Sequence, residues 1–348
     1  MTAARAAGGT TAPGGTATGT TPPAGPAAAG TAPRGSAATA PAPPAMPPAA
    51  PPAPADPSSL ARRATADPLF RLVAYALEAA HGRAPTAVWS APHAFHLGSP
   101  GLVAAAGWPV AAAAAPRTDG TVRLSSLGHP AQSCALALTG APGAEVPDWA
   151  RRPYAVLRAL AAAGHGRGGT DLHVHGTLTA AAGLSLTEPA DCAVALAALD
   201  AHAPGAGPVP RATVARILAA VAPRDDRALR EAVLWARPGT ALLHTDGGRR
   251  HVPFDPAGSG TRLVLMAVRG EPADRGPDLA RAVESARRAG AVSVWPPGDG
   301  PPGSVLLLLP APRRSAVRAA VAQEFRSRCR PVPRFLNIAV TGAARRED

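Results

Sequence analysis

The chain has 348 residues, 35 basic against 23 acidic side chains and a net charge of +12, with only three cysteines, Cys134, Cys192 and Cys329. The cysteines are odd in number and lack any CxxC spacing, so neither a disulfide framework nor a zinc knuckle is suggested and free thiols are expected. All the basic residues are arginine, scattered in pairs such as Arg62/Arg63, Arg151/Arg152 and Arg287/Arg288, and aromatics make up 3%. That pattern argues against a basic stripe with base-stacking platforms, and hence against nucleic-acid binding.

Residues 1–57 are almost wholly Ala, Pro, Gly and Thr with no apolar periodicity. Such a tail cannot offset its ordering entropy by burial and is expected to be disordered. It has no compact apolar core of a signal peptide, and nothing later is long enough for a membrane span, which predicts a soluble, cytoplasmic protein. The remaining length suffices for one large or two modest domains.

From Ser58 onward, "SSLARRATADPLFRLVAYALEAAHG" predicts a helix with serine caps, Leu69, Leu72, Val73, Ala76 and Leu77 on one face, and an end before Gly82. Thr86 to Gly98 reads as strand, and Thr118 to Gly120 as a turn between two short strands. "WARRPYAVLRALAAAGHG" predicts a helix with Tyr154, Leu157 and Leu160 together, and "TDLHVHGTL" alternates as a strand. Next, "LTAAAGLSLTEPADCAVALAALD" reads as a strand tail, a small-residue turn and an alanine-rich helix. Two readings of that turn stay open. Gly183, Ser185 and Thr187 ahead of a helix N-terminus could cradle a phosphate, or Thr187 could simply be the N-cap with Pro189 in the first turn.

A helical stretch runs from Arg211 through Trp235, and "GTALLHT" with "RRHVPFD" forms a strand pair. The strand "TRLVLMAVR", the helix "DLARAVESARRAG", the strand "GSVLLLLP", the helix "RRSAVRAAVAQEFRSRC" and the strand "PRFLNIAV" complete the chain. Helices and strands mix throughout, so the class is α+β or mixed α/β. His173 and His175 share one strand face, and His93 and His96 lie close in sequence. Without a third ligand, both pairs read as packing residues before they read as metal ligands.

The order of these segments resembles the galactokinases, sugar kinases of the GHMP family. The turn and helix around Ala182, Gly183, Leu184, Ser185 and then Cys192 to Leu196 are similar to the family's GAGLSSSAALECAVAL. "WSAPHAFHLGSPG" stands in the place of APGRVNLIGEHTDY, "AGAVSVWPPGDGPPGSVLLLLP" in that of the third glycine-rich motif, and "TGAARR" resembles the usual C-terminal SAGARR. The resemblance implies an α+β, two-domain GHMP kinase-like fold behind the 1–57 tail, with an N-terminal-like domain over 58–258 and a shortened C-terminal-like domain over 259–348. It also implies ATP with Mg²⁺ as cofactors, a hexose as partner, and transfer of the γ-phosphoryl group to the sugar's C1 hydroxyl. The nucleotide would lie against Gly183, Leu184, Ser185, Thr187, Gly298, Gly300 and Gly303, with Ser185 and Thr187 toward the metal.

The chain departs from this pattern where the chemistry is concentrated. The family's arginine falls on Ala94 and its preceding glycine on His93. The sugar-gripping acids and histidine fall around Ser99 to Val103, where none of those types occurs. Glu188 and Pro189 replace small residues at the helix start, while Asp299, Pro301 and Pro302 intrude in the third motif, where proline removes N–H donors. The general base falls at Leu229 or next to it, with Asp226 and Glu231 nearby but no motif match to install either. No catalytic residue is assigned, and a weak or inactive (pseudo)kinase is expected.

Overall fold

The computed structural model describes residues 67–347 apart from 99–100, 141–144, 179–183, 185, 204–208, 223–225, 246–247 and 298–302. The tail expected over residues 1–57 lies outside these. Helix α1 (Pro68–His81) is capped by Asp67, where the sequence suggested Ser58 or Ser59. Asp67 caps it by accepting from the Leu69 N–H at 2.9 Å, and Gly82, at φ 69°, ends it in the left-handed conformation. Its buried face is Phe70, Val73, Ala74, Ala76 and Leu77, while Leu72, expected on that face, is 41% exposed.

The larger sheet is built around β1 (Ala87–His96) and β2 (Leu102–Pro116), paired antiparallel with a shift of register at Pro92/His93. Strands β3 (Thr121–Ser126), β4 (Cys134–Ala137) and β5 (Gly169–Gly176) follow, with α2 (Asp148–Ala162) between β4 and β5. The turn at Thr118–Gly120 does join two strands, but β2 is long and does not pair with β3. Instead β5 lies between them, antiparallel to β2 and parallel to β3. A parallel pair needs a crossover, and the β4–α2 segment supplies it. At the chain end β12 (Arg345–Arg346) adds to the outer side of β1.

Helix α3 (Thr187–His202) lies across β1 and β2, and every residue from Asp191 to Ala201 is buried. A helix that is apolar nearly all round belongs between layers. Here α2, α4 (Arg211–Val221) and α5 (Arg227–Trp235) cover the side away from the sheet. The alanines of α3 share one core with Ala112 and Ala114 of β2, small side chains that allow the helix to pack close to the sheet. The single helical stretch expected over Arg211–Trp235 is two helices. Pro223 drives Ala222 out of the helical region, to φ −142° and ψ 76°. On the opposite face of the sheet, α1 buries Phe70, Val73 and Leu77 against Val88, Ala111, Ala113 and Ala115.

The hairpin β6 (Thr240–Thr245) and β7 (Gly248–Pro253) attaches to the start of β2. The second sheet has the order β11 (Arg334–Ile338), β8 (Thr261–Ala267), β10 (Ser304–Pro310), β9 (Ser293–Trp295), all antiparallel. Val264 and Met266 of β8, with Val305, Leu307 and Leu309 of β10, pack on α6 (Pro272–Arg288) and α7 (Arg314–Arg326). Leu263, Leu265 and Leu306 on the other face meet Phe95, Ala104 and Ala106 of the larger sheet. Being covered on both faces explains why β8 and β10 are unbroken apolar runs.

Among the described residues no helix is long and apolar enough to cross a membrane. The three cysteines are free thiols.

Candidate active site

Three chain segments and a helix cap meet at the end of β1. His96, the last residue of that strand, donates its backbone N–H to the carbonyl of Pro297, just beyond β9, at 3.3 Å. Its imidazole Nε2 lies 2.7 Å from Asp226 Oδ2. Asp226 is the N-cap of α5, its other oxygen accepting from the Ala228 and Leu229 N–H groups at 2.8 and 3.1 Å. From the first turn of α3, Glu188 Oε1 accepts the Asp226 N–H at 3.3 Å. The His96 hydrogen bond, helped by the backbone donors, holds the Asp226 carboxyl below its usual range despite partial burial.

Behind this pair lies a second charge cluster. Glu231 of α5 accepts from Arg227 at 2.8 Å and from Arg249 at 3.2 Å, with His244 Nδ1 at 3.6 Å. Burial works against ionisation of Glu231, but the two arginines together outweigh it and its carboxyl lies below the usual range. Arg249 also stacks on Trp235, its guanidinium carbon 3.8 Å from the ring centre. Glu231 is thereby committed to holding the β6–β7 hairpin against α5.

Of the residues expected to bind nucleotide, Gly183, Ser185, Gly298 and Gly300 lie outside the described residues. Leu184 is described, and its side chain is buried beside Phe95, Leu263 and Leu306, which leaves a ligand only its backbone. Thr187 is the first residue of α3, not its cap. Leu186 stands at the cap position, and no side chain caps the helix among the described residues. The capping reading of Thr187 is thus corrected. Gly303 precedes β10 and its carbonyl accepts from the Val268 N–H. Ala94, where the resemblance puts the family's arginine, and Leu229, at or next to which it puts the base, are 2% and 4% exposed and belong to one apolar core.

The histidine pairs have separate surroundings. His173 Nδ1 lies 2.9 Å from Ser125 Oγ, which also meets His81 Nε2 of α1 at 3.0 Å. His93 is wholly buried. Among the described residues no group of three or more His, Cys, Asp or Glu side chains is placed to hold a metal.

Comparison with known proteins decides the relationship. No family model matches the sequence. The chain is 32% identical over 204 residues to the galactokinase of Streptomyces coelicolor, a match covering 54% of this chain and 52% of that protein. It therefore spans about half the length of the curated relative it matches. In structure it is similar to galactokinase from Lactococcus lactis, solved with galactose, at a TM-score of 0.65 and 13% identity, covering 80% of this chain and 99% of the other.

The chain is galactokinase-like, with the GHMP kinase fold.

That fold is shared with a sugar kinase from Campylobacter jejuni (TM-score 0.56, 12% identity, 76% of this chain and 100% of the other). It is shared also with mevalonate kinase from Methanococcus jannaschii (TM-score 0.52, 10% identity, 73% and 99%). What sequence reasoning missed in this galactokinase-like chain is the His96–Asp226 contact. A helix-capping aspartate after a proline-marked break was legible in "APRDDRALREAV", but nothing in the sequence could pair it with a residue on β1, 130 positions away.

Proposed function

We propose that this chain is a cytoplasmic, galactokinase-like protein that binds a nucleotide and a hexose but transfers the γ-phosphoryl group to the C1 hydroxyl weakly or not at all. The observation that carries the reading is the burial of Ala94 and Leu229 in a common apolar core. Neither position offers a group that could meet a substrate, even after side-chain rearrangement. Loss of a general base removes on the order of 10²- to 10⁴-fold, and loss of a charge-stabilising arginine on the order of 10³- to 10⁵-fold, though the two do not simply multiply. The domain division at 258/259 belongs to the same proposal, supported by the change of sheet between β7 and β8.

The described residues suit an anionic ligand in one respect. The first turn of α3 carries no side-chain cap among them, and a helix N-terminus of this kind has backbone N–H donors and a positive dipole end. Thr187 would contribute to holding Mg²⁺, which supplies charge neutralisation of the phosphates when bound. The Glu188 carboxylate in that same turn is drawn toward the Asp226 N–H, which reduces its opposition to an anion.

The test is a thermal-shift titration of the full chain with ATP·Mg²⁺ and with a panel of hexoses, beside an assay for sugar 1-phosphate. Ligand at one hundred times its dissociation constant stabilises by about 2.7 kcal/mol, an easily read rise in melting point. Binding with slow or absent turnover supports the proposal, and turnover in the ordinary kinase range refutes it.

A further inference from the structure

Between the segment that follows β4 and the last turns of α2 lies a hollow of about 320 Å³, formed by parts of the chain that take no part in the candidate active site. Leu138 and Ala161, both buried, and Ala162 give it apolar walls. Arg158 of α2 and Arg167, from the loop after that helix, line it as well, and both are exposed. Small-molecule sites have this composition, apolar walls with a few charged or polar groups, and begin at roughly this volume.

Each arginine is steadied by the protein without having its charge neutralised. The Arg158 guanidinium carbon lies 5.6 Å from the centre of the Tyr154 ring, and Tyr154 is fixed in turn by its hydroxyl donating to the Ala137 carbonyl. Arg167 donates its Nε–H to the Ala161 carbonyl at 3.4 Å. Among the described residues neither guanidinium forms an ion pair, whereas Arg151 and Arg152 of the same helix both do. Two like charges brought to one hollow without a carboxylate repel, and an anion between them removes that cost. The carbonyls at the end of α2 would oppose such an anion if they were bare. Those of Ala159, Leu160 and Ala161 are occupied, accepting from the N–H groups of Ala163, His165 and Gly164 respectively.

We propose that this hollow is a binding site for a small organic anion, an oxyanion head (carboxylate or phosphate) on an apolar body. The head is taken by the guanidinium groups of Arg158 and Arg167, whose planar N–H forks match both kinds of oxyanion. The body lies against Leu138, Ala161 and Ala162. A bare inorganic ion gains nothing from those walls, and a neutral apolar molecule gains nothing from the arginines, so the site selects for the two features together.

Isothermal titration calorimetry on the full chain tests this with hexanoate, octanoate, phenyl phosphate, inorganic phosphate and, as the neutral control, hexanol. Octanoate is expected to bind more tightly than hexanoate, by up to about fourfold for each added methylene. Phenyl phosphate against octanoate tells which head the site prefers, and inorganic phosphate is expected to bind least of the anions. Arg158→Gln and Arg167→Gln should each weaken octanoate binding by about tenfold or more, the loss expected for a charge-assisted hydrogen bond. Both side chains are exposed, so the variants should keep the parent's melting point. Ala162→Glu, which places a carboxylate beside the arginines, should abolish binding. Undiminished affinity in the double arginine variant overturns the proposal, because the anion is then drawn by the net positive charge elsewhere. So does hexanol binding as tightly as hexanoate, inorganic phosphate binding as tightly as octanoate, or the absence of heat with every anion at millimolar concentration.

Discussion

His173 makes the stability of this protein depend on pH in a calculable way. It is 2% exposed on β5, its Nδ1 bonded to Ser125 Oγ, and its Nε2 has no hydrogen-bond partner among the described residues. A proton added at Nε2 would place an unpaired N–H and a charge in the layer under α1. Burial first, then the neighbouring His175 and His81, lowers its pKa from 6.5 to about 4. In the unfolded chain the imidazole takes its proton near 6.5, and in the folded chain only near 4. The unfolded state therefore binds more protons across that window, and the stability present above 6.5 is lost as pH falls toward 4. The full loss is about 3 kcal/mol, from a shift of roughly 2.5 units. His173→Gln keeps a polar atom for Ser125 and removes the titration. Chemical denaturation of both proteins at neutral pH and at the foot of the window gives the difference directly. Of the other histidines with lowered pKa, His202 and His244 are present in both proteins and cancel, whereas His81 and His175 are coupled to His173 and their changes count with it in the difference. The parent should lose about 3 kcal/mol more than the variant. Parallel losses in the two would refute the argument.

Arg152 forms a two-pronged contact with Asp191 of α3 at 2.8 to 3.3 Å, and burial already pushes that carboxyl's pKa upward against the arginine. Arg152→Ala should destabilise by about 3 kcal/mol by leaving a buried acid without its cation, and a change in denaturation midpoint near zero would count against this. Gly169 and Gly82 both have positive φ, but a Cβ on Gly169 would lie 2.2 Å from the Thr121 carbonyl oxygen, whereas Gly82 has open space around it. Gly82→Ala should lower stability by about 1 to 2 kcal/mol, and Gly169→Ala should cost distinctly more and disturb the β3–β5 pairing, as seen in amide protection. Leu242, fully buried in the main core, should cost about 2 to 5 kcal/mol as Leu242→Ala in a thermal melt.

The element sequence was largely written in the chain, since periodicity and turn residues are local properties. Gly82 ended α1, the 2-residue alternation marked β5, and the apolar runs of β8 and β10 marked strands. What propensity could not supply was partnership. The insertion of β5 between β2 and β3, the β12 strand at the edge of β1, and the hydroxyl shared by His81 and His173 all depend on residues far apart in sequence. The candidate site divides the same way. The segments around Ala94 and Leu229 could be set against the family pattern residue by residue, because a local motif is legible wherever it lies in the chain. The approach of His96 to Asp226 was not legible, because it arises from how the cap of α5 packs across the end of β1, and only the tertiary fold brings those two together.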